Sequence, residues 1–108
     1  MRIFNFILII FITLTSSIKA ELNTNVIKEL KKGNKLIFVR HAYAPGGGDP
    51  ENFNIKECAT QRNLGESGKQ QAKRIGDFFT ANQIPFEQVY SSEWCRCKDT
   101  ASIAFKKF

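Results

Sequence analysis

The stretch from Leu36 to Ala42, Leu-Ile-Phe-Val-Arg-His-Ala, constrains this chain most: an apolar run that stops at an arginine and the only histidine of the sequence. Leu36, Ile37, Phe38 and Val39 in succession predict a strand buried on both faces, as in a parallel sheet. Arg40 and His41 then fall at its C-terminal end, where open α/β sheets gather their ligand sites. Guanidinium holds phosphate through two parallel hydrogen bonds, and imidazole is a competent nucleophile near neutral pH. The alternative for the pair is solvation of a strand end.

The 108 residues allow one small domain. Met1-Arg2, the apolar stretch Ile3 to Phe11 broken only by Asn5, and Thr13 to Ala20 have the charged start, apolar middle and small-residue end of a secretory signal peptide. The expected division is a signal peptide over 1–20, cut after Ala20, and the N-terminal part of a domain over 21–108, exported to the periplasm or secreted. The rival is an uncleaved membrane anchor, but Thr13, Thr15, Ser16, Ser17 and Lys19 interrupt a run that should reach about 20 apolar residues. No stable membrane insertion is expected after cleavage.

Removing Arg2 and Lys19 and no acid lowers the net charge from +6 to +4. That suits an anionic substrate. The basic residues are scattered apart from Lys31-Lys32 and Lys106-Lys107, without the stripe that nucleic-acid binding needs. Nucleic acid is not an expected partner, and oligomeric state is not legible. Cys58, Cys95 and Cys97 predict one bridge and one free thiol in an oxidising compartment. Cys95-Arg96-Cys97 offers too few ligands at the wrong spacing for zinc. No metal and no cofactor is expected.

Within Glu21 to Lys32 a short amphipathic helix is expected, capped by Asn23 or Thr24, with Val26, Ile27 and Leu30 on one face and Gly33 as its left-handed stop. Beyond His41, Pro45, Gly46, Gly47, Gly48 and Pro50 exclude regular structure. The glycines either let backbone amides approach an anion or form a flexible tether. A second helix follows Asn63 or Gly65 as cap, with Gly68, Ala72, Ile75 and Phe79 as its buried stripe. Phe86 to Tyr90 reads as a second strand. Ser92 is the expected cap of a third helix, its apolar face built from Trp94, Cys97 or Lys98, Ala101, Ala104 and Phe105.

Strand, helix, strand makes a right-handed βαβ unit, with Arg96 brought to the same sheet edge as Arg40 and His41, beside a helix N-terminus that favours anions. The same topology sets Cys58, on the loop leaving that edge, near the helix that carries Cys95 and Cys97. A bridge from Cys58 to Cys95 or Cys97 is expected, and none between Cys95 and Cys97, because a helical turn points them apart.

Three blocks in this order resemble the histidine phosphatase superfamily, which includes the phosphoglycerate mutases. Phe-Val-Arg-His-Ala is similar to its Arg-His-Gly signature, with Ala42 in place of the glycine. Leu-Gly-Glu-Ser-Gly-Lys-Gln-Gln-Ala resembles the helix-opening block, and Ser-Ser-Glu-Trp-Cys-Arg-Cys-Lys-Asp-Thr-Ala the Ser-Ser-x-x-x-Arg-x-x-x-Thr-Ala block. Cys-x-Thr-Gln-Arg-Asn-Leu is similar to exported members.

The resemblance implies a three-layer α/β fold with a mainly parallel sheet, present here as its first βαβ unit and following helix. It implies hydrolysis of a small phosphorylated substrate through transient phosphorylation of His41. Arg40 and Arg96 would hold the equatorial oxygens, and Arg62 is either a further phosphate contact or a structural donor. Charge spread over three oxygens is stabilised mainly by placed cations.

The family's second histidine has no counterpart in this sequence, and nothing marks Asp49, Glu51 or Glu57 as the proton donor. Two further readings stand beside the enzyme: an inactive fragment or remnant that binds anions weakly, and a small disulfide-stapled binding module.

Overall fold

A computed structural model describes residues 24–108. The expected signal segment and the first residues of the expected first helix lie outside this range. Three helices make up the regular structure, α1 (Thr24–Lys31), α2 (Glu66–Ala81) and α3 (Cys95–Phe105), with a 3₁₀ turn at Cys58–Thr60 between the first two. There is no strand among the described residues.

The α/β fold with a parallel sheet is therefore corrected: the described architecture is helical. Both expected strands lack regular structure and share no backbone hydrogen bond, and both line one groove of about 700 Å³. A ladder needs neighbouring backbones about 4.8 Å apart and joined by hydrogen bonds, and these two segments are not so joined. The expected burial on both faces fails as well: Leu36 is 87% exposed and Phe38 93%, while Ile37 and Val39, at 40% and 43%, are partly covered. Among the described residues no helix is long and apolar enough to cross a membrane.

The helices follow the sequence more closely. α1 stops at Gly33, which takes the left-handed φ of 71°, but buries no residue. Gly65 is the N-cap of α2, and Glu66 in the first turn faces the positive end of the helix dipole. At the other end the Gln83 N–H reaches the Thr80 carbonyl and the Ile84 N–H the Phe79 carbonyl, both close to 3 Å. These two bonds satisfy carbonyls that the helix leaves open, and buried Ile84 seals the turn. α3 begins at Cys95 with Trp94 as its N-cap and no side-chain cap, so the expected Ser92 cap is not used.

Two glycines of α2 set the packing. A Cβ at Gly68 would lie 1.9 Å from the Tyr43 carbonyl oxygen, and one at Gly76 would lie 2.1 Å from that of Ala104. The first contact seats α2 on the chain just after His41; the second brings α2 onto α3. Ala42, Ala44, Leu64 and Ala72 form the buried cluster at the first contact, with Ile103 packed against it. Phe79, Phe86 and Phe105 meet edge to face at centroid distances of 5.0 to 6.0 Å and extend the apolar packing. The expected α2 stripe is right at Gly68, Ala72 and Phe79, while Ile75 is half-buried and Gly76 buried.

Cys58 and Cys95 are bridged, with Cα atoms 5.6 Å apart, and Cys97 is free. A link across 37 residues stabilises by about 4 kcal/mol in the chain-entropy picture. It ties the loop after His41 to the first turn of α3. Buried Gln61 reinforces the tie: its Nε2 donates to the carbonyls of Asn54 and Ile55, and its Oε1 accepts from the Cys95 N–H, all at 3.0 Å.

Candidate active site

The site is assembled by hydrogen bonds that stitch residues 41–44 to the two long helices. The Ala42 N–H donates to Thr100 Oγ1 at 3.0 Å, and that hydroxyl donates to the Arg96 carbonyl at 2.7 Å, one turn earlier on α3. The Tyr43 N–H donates to Gln71 Oε1 of α2 at 2.8 Å. The Ala44 carbonyl accepts from Arg62 Nη1. His41, Arg62 and Arg96 are thereby joined to one short segment.

His41 is half-buried and lines the groove together with Cys97 and Thr100. Its Nδ1 lies 2.7 Å from the Ala42 carbonyl oxygen. A carbonyl oxygen can only accept, so Nδ1 carries a proton, and in the neutral imidazole Nε2 keeps an in-plane lone pair. That is the tautomer a nucleophilic imidazole requires.

Arg96 is 9% exposed, and three groups hold it. Nη1 donates to both carboxylate oxygens of Asp49, at 3.0 and 3.1 Å, and to the Arg62 carbonyl at 3.3 Å. The guanidinium carbon stands 4.4 Å from the centroid of the Trp94 ring, whose own centroid is 4.7 Å from that of Phe53. A cation over an indole face is attracted by its quadrupole. Nε of Arg96 is buried without a partner, and so is Nε of Arg62.

Asp49 closes the network. Its Oδ1 also accepts the backbone N–H of Arg62 at 2.8 Å. That hydrogen bond, assisted by the hydrogen bond and charge of Arg96, holds the Asp49 carboxyl below its ordinary pKa, against the opposing effect of burial. The glycine run is the chain that delivers it. Gly46 adopts φ 107°, where a side chain is strained, and a Cβ there would lie 3.4 Å from Arg62 Cδ.

Of the four residues singled out from sequence, the structure links His41, Arg62 and Arg96. Arg40 is exposed and makes no hydrogen bond or ion pair among the described residues. Asp49, Trp94 and Thr100 are the members that sequence reasoning did not assign. The Thr-Ala ending of the third block marked Thr100 as part of a pattern, whereas nothing near Asp49 announces its partner 47 residues away. Among the described residues no group of histidine, cysteine, aspartate or glutamate could hold a metal ion.

The family model described as histidine phosphatase superfamily (branch 1) matches residues 36–108, which include every residue of the network. No curated protein and no solved structure matches the chain.

Proposed function

Because this chain belongs to the histidine phosphatase superfamily, we propose that its site hydrolyses phosphomonoesters of small molecules through a phosphohistidine at His41. The observation that carries the reading is the 2.7 Å contact of Nδ1 with the Ala42 carbonyl, which leaves Nε2 free to attack. Nε2 bonds to phosphorus as the ester P–O bond breaks, and the departing alkoxide takes up a proton. Water then attacks phosphorus, the P–N bond breaks, and inorganic phosphate leaves with the Nε2 lone pair restored.

Arg96 and Arg62 supply cationic N–H groups to the non-bridging oxygens, while Arg40, exposed at the end of the apolar run, stands apart from them. One charged donor at such a site is worth about 3 kcal/mol, or roughly a hundredfold in rate. With a single histidine in the sequence, no second imidazole of this chain assists. Turnover by residues 21–108 alone is accordingly slow. The Cys58–Cys95 bridge suits export to an oxidising compartment.

Trapping the intermediate tests the reading. After incubation with an aryl phosphate and an alkaline quench, the protein should carry alkali-stable, acid-labile phosphate. Since His41 is the only histidine, any phosphohistidine reports on that position alone. His41→Ala should abolish the label. Absence of label in the unsubstituted chain, or its persistence in His41→Ala, refutes the mechanism.

A further inference from the structure

We infer that Asp49 is the positioning residue of the phosphate site, holding Arg96 by Nη1 so that its buried Nε keeps its hydrogen for an oxygen of a tetrahedral oxyanion. The inference rests on the phosphatase reading. Both oxygens of Asp49 straddle the single atom Nη1 of Arg96. A carboxylate standing in for a phosphate would take two guanidinium nitrogens in parallel, the geometry that makes arginine a phosphate ligand. Asp49 leaves Nε alone.

Nε lacks an acceptor. Arg96 is 9% exposed, yet its Nε has no hydrogen-bond partner. A buried donor without an acceptor costs about 1 to 3 kcal/mol, more when charged, so the missing acceptor points to a ligand. Arg62 repeats the pattern: its Nη1 is spent on the Ala44 carbonyl, and its Nε is buried and unpartnered. Asp49 ties the two arginines together, since Oδ1 takes the Arg62 backbone N–H as well as Arg96 Nη1. Asp49, Ala44 and the Trp94 face orient; the two unpartnered Nε–H groups bind.

The test is a titration of the ¹⁵N-labelled full chain with inorganic phosphate, read at the arginine Nε–Hε resonances, for the unsubstituted protein, Asp49→Asn and Asp49→Ala. In the unsubstituted chain the Arg62 and Arg96 resonances should shift on saturation. Asp49→Asn keeps an oxygen at the Oδ1 position and should weaken phosphate binding about threefold. Asp49→Ala should weaken it tenfold or more, with the Arg96 resonance broadened in the free protein.

Equal or tighter binding by both variants overturns the inference, because Asp49 would then be a competing counter-ion. A loss in Asp49→Ala that disappears once both proteins are compared well below their Tm also overturns it, because the effect would be one of folding. No phosphate shift in the unsubstituted chain overturns the phosphatase reading itself, and this inference with it.

Discussion

Thr100 Oγ1 accepts the backbone N–H of Ala42 across 58 residues of sequence. Both groups are buried, and the same hydroxyl donates to the Arg96 carbonyl. One side chain thus sets the residue after the histidine against the helix turn that carries the arginine. Thr100→Val, nearly isosteric, strands the Ala42 N–H and should cost about 1 to 3 kcal/mol. Urea denaturation should show a lower midpoint with an unchanged slope, and phosphate affinity should fall because His41 and Arg96 lose their common anchor. An unchanged midpoint would mean that the contact is replaced by water at no cost.

The two helical glycines should behave unlike ordinary helix glycines. At an exposed helix interior Gly→Ala stabilises by up to about 1 kcal/mol. Here a Cβ would stand 1.9 Å from the Tyr43 oxygen or 2.1 Å from the Ala104 oxygen, and both obstacles are backbone. Gly68→Ala and Gly76→Ala should each destabilise by about 1 to 3 kcal/mol or more, as overpacking does. Thermal unfolding by circular dichroism measures it. Gly68→Ala should also disturb the site, since Tyr43 follows His41 by two residues, whereas Gly76→Ala should act on stability with little change in phosphate affinity per folded molecule.

Acid should dissolve the network late. The Asp49 carboxyl is held below its ordinary value of 3.8, chiefly by the Arg62 N–H and then by Arg96. A carboxylate whose folded pKa lies below its unfolded value stabilises the fold fully above the unfolded value and loses that contribution as pH falls through the folded one. The Tm difference between the unsubstituted protein and Asp49→Asn should therefore be constant from neutrality down to about pH 5 and shrink below about pH 4. A difference that vanished already near pH 6 would assign the effect to another group.

Local signals were read well from sequence because helices are local objects. Gly33 ended α1, the Gly68, Ala72 and Phe79 spacing located α2, and the Ala101–Ala104 face located α3, all from residues within a few turns of one another. The three motif blocks likewise named His41, Arg40 and Arg96, since each block is contiguous. The apolar run at Leu36 shows where this reasoning stops. Its composition states that the segment favours an extended, buried environment, but a strand exists only when a second backbone is hydrogen-bonded alongside, and the two expected strands share no such bond.

What the sequence determined by itself is therefore the chemistry present: one imidazole, the candidate arginines, three thiols and the helices that carry several of them. Tertiary structure decided their pairings. It joined Cys58 to Cys95 and left Cys97 free, seated Asp49 on Arg96, and left Arg40 outside the network. The physical reason is range. Helix formation depends on neighbours a turn away, whereas these pairings depend on where two glycines let α2 meet the rest of the chain, a matter of a few ångströms between residues dozens of positions apart.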